Sequence, residues 1–547
     1  MTTQQQQQQE QHEENFRNTR VLIVGFGLSG IVQTHTFVSN GFEDVTVVES
    51  DDTFGGVWNL SKHYPGLVTN NTGNTFQFPE MKCEADAYDD WPSQEQVNAY
   101  LTKYVSQFDL EKHVQYGTRV QNIRRRLDPT SKDEDKWLFD VTFSRAVKGS
   151  LQATYDVVVC ATGFTSKPYV PPLFRREEAK DLPQGVRVIH SSEIRKALAE
   201  DPCFAMNKRV AVIGTCKSGK DSALWAIRTK AASVALIGRA MRCTIPYYMH
   251  PDPVKNVTEF EMIFSRLLSY LLPTKPAAMK ERTGLFRTPM LLYFFHETFL
   301  GRAIRDFVWR MRLAEFAKIL DIPPHLVSKK IFAQDGRYVS PSDPRFYSYI
   351  QEGLINVILE HPIGFDNTHD NPALLLQNPE TGRQQEKTYD LIICATGWES
   401  SLGFLSEEIR SKLFNDRGQV QLFRNIYCPS LPQMGFIGFH STLHNMVDAA
   451  ISSRWVVEMA KGREGSLYRN NKLLEDHEYM WETIEAGLLF DTQDARNPDG
   501  FFTTGWAAHQ HFDILVKDMG SSKYYRCVPL FKPMYPSMYK GLMTEKL

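Results

Sequence analysis

Gly25, Gly27 and Gly30 stand at G-x-G-x-x-G spacing in the run VLIVGFGLSG, residues 21–30. Glycines so placed can cradle a pyrophosphate. The first permits a tight turn, the second lets backbone approach phosphate oxygens, and the third lets a helix pack on the preceding strand. Glu49 closes the next apolar run, DVTVVE, roughly 20 residues beyond, where a carboxylate can accept hydrogen bonds from an adenosine ribose. An acid there selects FAD or NAD over NADP. An altered copy of the pattern lies at Gly214, Cys216 and Gly219 in VAVIGTCKSGKDS. Arg239 follows its next strand, where a guanidinium can pair with the 2′-phosphate of NADP, with Lys217 and Arg242 placed to assist. Residues 214–220 also read G-x-x-x-x-G-K, close to a nucleoside-triphosphate loop. Asp221 stands where that loop needs a Mg²⁺-holding hydroxyl, and a carboxylate beside the phosphates would repel them. The dinucleotide reading therefore leads and the triphosphate reading stays as its rival.

These loops need elements to aim them. Residues 21–24 and 45–48 are short apolar runs, as in parallel strands buried on both faces. The helix after each glycine loop points its first amides at the phosphates. Residues 93–108 have helical periodicity, with Ser93 and Gln96 forming a capping box. Strand-like pieces follow around Val120, at 137–143 and at 153–159, the last feeding Ala161-Thr162-Gly163. Residues 389–394 feed a second copy, Ala395-Thr396-Gly397. The 64–81 stretch, rich in Gly, Pro, Asn and aromatics, reads as an ordered irregular loop. Residues 255–322 read as helical and aromatic, with stripes that line a core or groove.

The chain has 547 residues, enough for three or four domain-sized units. Its 62 Lys and Arg against 64 Asp and Glu leave a net charge of -2, which gives no reason to expect a nucleic-acid partner. Eight cysteines are scattered with no C-x-x-C pair, against a structural zinc site or a dithiol centre and in keeping with a reducing, cytoplasmic setting. No metal ligand set is expected. No run reaches the roughly 18 apolar residues of a membrane span; peripheral membrane association is left open. Residues 1–19 begin MTTQQQQQQEQHEEN and read as a disordered, Gln-rich polar tail.

Over roughly residues 21–462 the order of parts is similar to that of the flavin-containing monooxygenases. The parts are GFGLSG, GGVW, YPGLVTNNTGNTFQFP, the first ATG, GTCKSGKD, GR, the second ATG and FIGFHSTLHNMVDAAISSRWVVEMAKG. The resemblance implies an α/β fold with two Rossmann-like dinucleotide-binding domains, the NADPH domain inserted in a discontinuous FAD domain and itself carrying a helical insertion. The FAD domain would take residues 20–165 and 386–465, the NADPH domain 166–385 with its insertion at about 245–325. A C-terminal extension, 466–547, shows no assignable motif.

By position, the resemblance gives Gly25, Gly27, Gly30 and Glu49 to the FAD adenosine-pyrophosphate site. It sets Gly55, Gly56 and Trp58 beside the flavin, together with Thr162, Gly163 and the turn at Gly438. Gly214, Lys217, Ser218, Gly219 and Arg239 fall to the NADPH side, and Asn70 to the flavin's reacting edge; Thr396 and Gly397, within the second FAD segment, are expected to touch a cofactor as well. Arg454-Trp455 would lie on the following helix. Three departures stand out. The family's F-x-G-x-x-x-H-x-x-x-(Y/F) signature is broken around Gly185 and His190, with Leu182 and Ile194 replacing aromatics. Cys216 replaces a glycine, and Gly73-Asn74 replaces a serine-lysine pair.

The implied activity consumes NADPH and O₂. Through a flavin 4a-hydroperoxide, one oxygen atom would pass to a soft nucleophile, an amine, hydroxylamine or thioether, of a small organic substrate. Baeyer–Villiger oxidation of a ketone, suggested by Tyr64-Pro65-Gly66, and a non-catalytic NADPH-binding flavoprotein remain alternatives. A flavin disulfide reductase would need a redox cysteine pair, and none is spaced for it.

Overall fold

The computed structural model describes residues 16–547 apart from 85–89, 130–135, 146–148, 179–181, 184, 242–243, 248–260, 263–264, 268–270, 272–289, 328–339, 344, 368–371, 400–401, 443, 470–471, 492–501, 506–507 and 546. Two parallel five-stranded sheets form its frame. Their strands are β1 Val21–Val24, β2 Val45–Val48, β3 Val114–Gln115, β4 Val157–Cys160, β5 Arg187–His190, β6 Arg209–Ile213, β7 Ser233–Ile237, β8 Ile355–Ile358, β9 Leu391–Cys394 and β10 Met434–Phe436. The first sheet runs β10-β4-β1-β2-β3 and the second β8-β7-β6-β9-β5. In both, the glycine-bearing strand (β1 or β6) sits between its successor and the strand that leads to an Ala-Thr-Gly. Such a place, where strand order reverses, is where open α/β sheets bind ligands.

All four residues of β1, β4 and β9 are buried, since helices or small sheets cover both faces. α1 (Leu28–Ser39) follows β1, and α3 (Lys217–Arg228) follows β6. α2 (Gln94–Gln107) starts as its sequence indicates: Ser93 Oγ accepts from Gln96 N while Gln96 Oε1 accepts from Ser93 N. Of the helical insertion, α4 (Phe299–Ile319) is described with its capping Thr298; much of the remainder lies outside the described residues.

Three sequence expectations change. The expected strand at 153–159 is two strands. Gly149–Tyr155 belongs to a small antiparallel sheet, and β4 begins after Asp156, whose carboxylate takes a two-pronged hydrogen bond from the Arg20 guanidinium. The boundary at 386 falls too early. β9 pairs in parallel with β6 and β5, so the second unit runs past 386 to the crossing strands Lys167–Pro168 and Trp398–Glu399, which pair antiparallel. The polar tail is shorter than 19 residues. Phe16 packs its ring 5.1 Å from Phe42, and Glu43 N donates to Arg17 O; residues 1–15 lie outside the described residues.

The segment without a motif turns out to be core. α6 (Ala508–Asp518) is buried along almost its whole length, and Met534, Tyr539, Leu542 and Met543 join the same apolar cluster as β1 and α1. α5 (Asn445–Ala460) lies between α1 and α6. Its Arg454 is fully buried and pairs with Glu458 at 2.7 Å. The same guanidinium donates to Asn40 Oδ1 and to the carbonyls of Met543 and Glu545. Removing one partner of a buried pair leaves the other charge without compensation. Arg454→Met should therefore cost about 3 kcal/mol of stability, read as a lower midpoint in urea unfolding. An unchanged midpoint would show that Lys461, 2.8 Å from Glu458, suffices alone.

Candidate cofactor and active site

Gly25 leaves β1 at φ +100°, and a Cβ there would stand 2.9 Å from the carbonyl oxygen of Ala161, just past β4. A Cβ on Gly30 would fall 2.0 Å from Gly25 O, so the helix packs on the turn only through glycine. Gly27 precedes α1 without any side-chain cap. Gly55 and Gly56 are both left-handed, at φ +110° and +57°, and a Cβ on Gly56 would lie 3.2 Å from Gly27 Cα. Gly438, φ +79°, faces Ser29 in the first turn of α1, and its Cβ would stand 3.8 Å from Gly163 Cα. The expected first-site glycines thus converge on the start of α1, leaving bare backbone amides for phosphate. Trp58 flanks them, its ring 5.3 Å from Phe76, and Thr162 adjoins at the end of β4.

Glu49 is buried. Its Oε2 accepts from Phe26 N at 2.8 Å and Oε1 from Asp51 N at 2.9 Å. The carboxylate thus fixes the glycine turn itself. Ser50 Oγ also donates to Oε1, at 3.2 Å, so it is Oε2 that keeps acceptor capacity for a further donor.

The second loop repeats the first. Gly214 has φ +116°, its Cβ would lie 2.3 Å from Ala395 O, and one on Gly219 would lie 1.8 Å from Gly214 O. Cys216 occupies the middle position with φ -78° and ψ -172°, nearly the -77° and -168° of Gly27. That extended backbone accepts any side chain, so the turn survives a cysteine. Ser218 sits in the first turn of α3, and Arg239 is exposed just past β7 with no side-chain hydrogen bond or ion pair among the described residues. Arg242 lies outside the described residues.

Two lysines differ from the sequence reading. Lys217 is engaged inward, 2.8 Å from Asp221, which also accepts from Tyr64 OH at 2.9 Å. Burial opposes its charge, but Asp221 and the nearby phenols outweigh that and hold its pKa above the usual lysine value. Lys220, the lysine a triphosphate loop would aim at phosphates, is fully buried and donates to Thr244 Oγ1 on the far side of α3. That removes the triphosphate reading.

Thr396 and Gly397 serve the crossing between the two units. The Thr396 hydroxyl donates to Tyr169 O, and Tyr169 N donates to Gly397 O at 2.9 Å. His190 Nε2 lies 3.0 Å from Gly397 O, its Nδ1 accepts from Ser192 N, and its ring meets Trp398. His190 is therefore a fastening of the crossing.

Asn70 lies in a loop pinned from several sides. Thr69 N donates to Pro92 O, Thr69 Oγ1 to Asn71 O, Gly73 N to Asp90 O, and Gln77 Nε2 to Gly73 O. Amid these bonds Asn70 Oδ1 and Asn71 Nδ2 are buried and have no partner among the described residues. A buried orphan polar atom costs roughly 1–3 kcal/mol, so these two amides are candidates to meet a ligand's polar group. Sequence reasoning missed the Tyr64–Asp221 link and Glu261, which accepts from Thr72; neither belongs to a recognisable pattern.

Two Rossmann-type sheets, each with a glycine cradle at its switch point and one nested within the other, define a two-dinucleotide oxidoreductase fold. A model of the flavin-binding monooxygenase-like family matches residues 18–282. The flavin-containing monooxygenase 1 of Homo sapiens is 26% identical over 467 residues, covering 81% of this chain and 74% of its own. The solved structure of a steroid monooxygenase bound to NADP aligns with TM-score 0.60 at 16% identity, over 92% of this chain and 98% of that one. An S-allyl-L-cysteine S-oxygenase from Allium sativum aligns with TM-score 0.55 at 15% identity, over 93% and 91%. The chain is thus similar to the flavin-containing monooxygenases, and it is an oxidoreductase. Among the described residues, no helix is long and apolar enough to cross a membrane.

His190, His63 and His35 are each pushed down by burial to about 4 from an ordinary 6.5. The unfolded chain takes up these protons near 6.5 and the folded chain only near 4. Their contribution to stability is therefore complete above pH 6.5 and is lost as pH falls through that window. His190→Gln, which keeps a donor for Gly397 O, should shrink the drop in Tm between about pH 7 and pH 5. An undiminished drop would remove His190 from the acid-sensitive groups.

Proposed function

We propose that this chain uses FAD and NADPH to transfer one oxygen atom from O₂ to a soft nucleophile, a nitrogen or sulfur centre of a small organic substrate. The observation that carries the reading is the asymmetry between two otherwise matching cradles. The first ends in a buried acid, Glu49, and the second in an exposed cation, Arg239. An acid suits the unphosphorylated adenosine ribose of FAD, and a guanidinium suits the 2′-phosphate of NADPH.

The residues fit both groups. Gly25, Gly30, Gly55, Gly56 and Gly438 leave bare backbone where a Cβ would intrude, Gly27 and Gly163 stand in more open space beside them, and Trp58 and Thr162 border them. Gly214, Ser218, Gly219 and Arg239 would hold NADPH, with Thr396 and Gly397 shaping the crossing beside it. Lys217 would act on that site through Asp221 and Tyr64. Bound FAD supplies the redox chemistry that activates O₂ at the expense of NADPH. The protein's own part is to position and to keep water out. The 69–75 loop offers the Asn70 and Asn71 amides, neutral groups that take no proton from the substrate. This suits a nucleophile that brings its own lone pair. Asn70, with an acceptor free and a donor on the same amide, would orient the oxygen to be transferred.

NADPH-oxidation assays across amines, thioethers and ketones, with H₂O₂ measured in parallel, test the reading. N-oxides or S-oxides support it; esters formed from ketones alone would overturn the soft-nucleophile assignment. Arg239→Ala should raise KM for NADPH about tenfold, the loss of a charge-assisted phosphate contact, and leave KM for NADH nearly unchanged. Equal losses with both cofactors would end the assignment of Arg239. Asn70→Ala should keep FAD bound and NADPH oxidation running while product falls and H₂O₂ rises. Loss of FAD with an unchanged product-to-H₂O₂ ratio would mean that Asn70 only shapes its turn.

A further inference from the structure

Glu261 is a carboxylate with 2% exposure, far in sequence from every glycine loop. Its Oε1 accepts from Thr72 Oγ1 at 2.7 Å, and its Oε2 accepts from Tyr535 OH at 2.8 Å. Thr72 is two residues beyond Asn70, and Tyr535 belongs to the C-terminal extension. The stretch that carries Glu261 is docked on that extension by further bonds. Arg266 pairs with Asp513 and donates to Val528 O at 2.9 Å, and Leu267 N donates to Leu530 O at 2.9 Å. Glu261 reaches the other way, to the 69–75 loop.

We propose that Glu261 is a positioning residue that ties the Asn70 loop to the C-terminal extension. The proposal rests on the reading of Asn70 given above. A buried charge accepting from two hydroxyls makes bonds of the stronger kind, and each hydroxyl has its proton committed to the carboxylate. Thr72 Oγ1 also lies 3.2 Å from Thr75 Oγ1, so the tether grips both ends of the turn that follows Asn70. With Thr69 Oγ1 holding Asn71 O on the other side, the backbone on both sides of Asn70 is held in place. The extension thus sets the pose of the group that faces the flavin.

Tyr535→Phe removes one hydroxyl from a half-buried ring and leaves its volume almost unchanged, so it tests the tether without a folding defect. Thr72→Val cuts the same link at its other end. Amide hydrogen exchange in the purified full-length protein should quicken about tenfold over residues 69–75 in either variant, the size of a lost hydrogen bond to a charge. In both, FAD content and KM for NADPH should match the parent protein, while the share of NADPH ending as H₂O₂ rises. The double variant should behave like either single one, because both cut one link.

Exchange and H₂O₂ share equal to the parent in both single variants, or additive effects in the double variant, would overturn the tether. If those hold while Asn70→Ala still raises H₂O₂, the tether fails and the role of Asn70 stands. If exchange quickens but Asn70→Ala leaves the H₂O₂ share unchanged, the tether stands and the role of Asn70 fails.

Discussion

At each switch point a glycine lies against the carbonyl of an alanine. A Cβ on Gly25 would stand 2.9 Å from Ala161 O, and one on Gly214 2.3 Å from Ala395 O. Both glycines hold φ near +100°, at +100° and +116°, a region L side chains rarely enter. This approach brings the turn after the first strand down onto the fourth strand. The helix that follows then starts directly above the sheet, with its amides free. Each turn is further locked by the third glycine, whose missing Cβ lets helix and turn touch. Everything proposed to bind here depends on those two close approaches, because a wider turn would carry the helix amides away from the crevice.

What could be read from the sequence was local. Glycine spacing, capped helices and short apolar runs announce themselves within a window of a few residues, so both cradles and α2 were legible. The Ala-Thr-Gly copies were legible as strand exits. Which sheet the second copy belongs to was not, because β9 is chosen by its parallel partner β6 from far away in the chain. The expected strand at 153–159 failed for a related reason. Ala153-Thr154-Tyr155 and Val157-Val158-Val159 both suit a strand, and what divides them is Asp156 turning to meet Arg20, a contact between distant residues. The lysines are a third case. Spacing identified Lys217 and Lys220 as cations near phosphate, but a charge on a helix flank can point either way, and Asp221 and Thr244 decided it.

The C-terminal extension was the least legible part and the most consequential. It has no repeated spacing because it is held by single buried polar groups matched to distant partners. Arg454 collects Asn40, Glu458 and two terminal carbonyls. Arg424 meets Asp518 at 2.8 Å, with both side chains nearly buried. Such groups are costly unless every bond is made, so they specify one docking of the extension and penalise others. Thus α1, which begins at the pyrophosphate cradle, is braced at its far end by residues from the opposite end of the chain.

That bracing has a temporal side. β4 acquires its outer neighbour β10 only after residues 161–433 have been made, and Asn40 meets the carbonyl of Met543 later still. The nested sheet, by contrast, has all its strands once Cys394 has emerged. Ribosomes add roughly 5–20 residues per second. For on the order of tens of seconds, then, the older half of the newborn chain carries an open strand edge while the younger half is already closed. The cradle that stands first in the gene is the last to be finished. Until the final turns dock, the nascent protein is a complete second sheet trailing an unfinished first one.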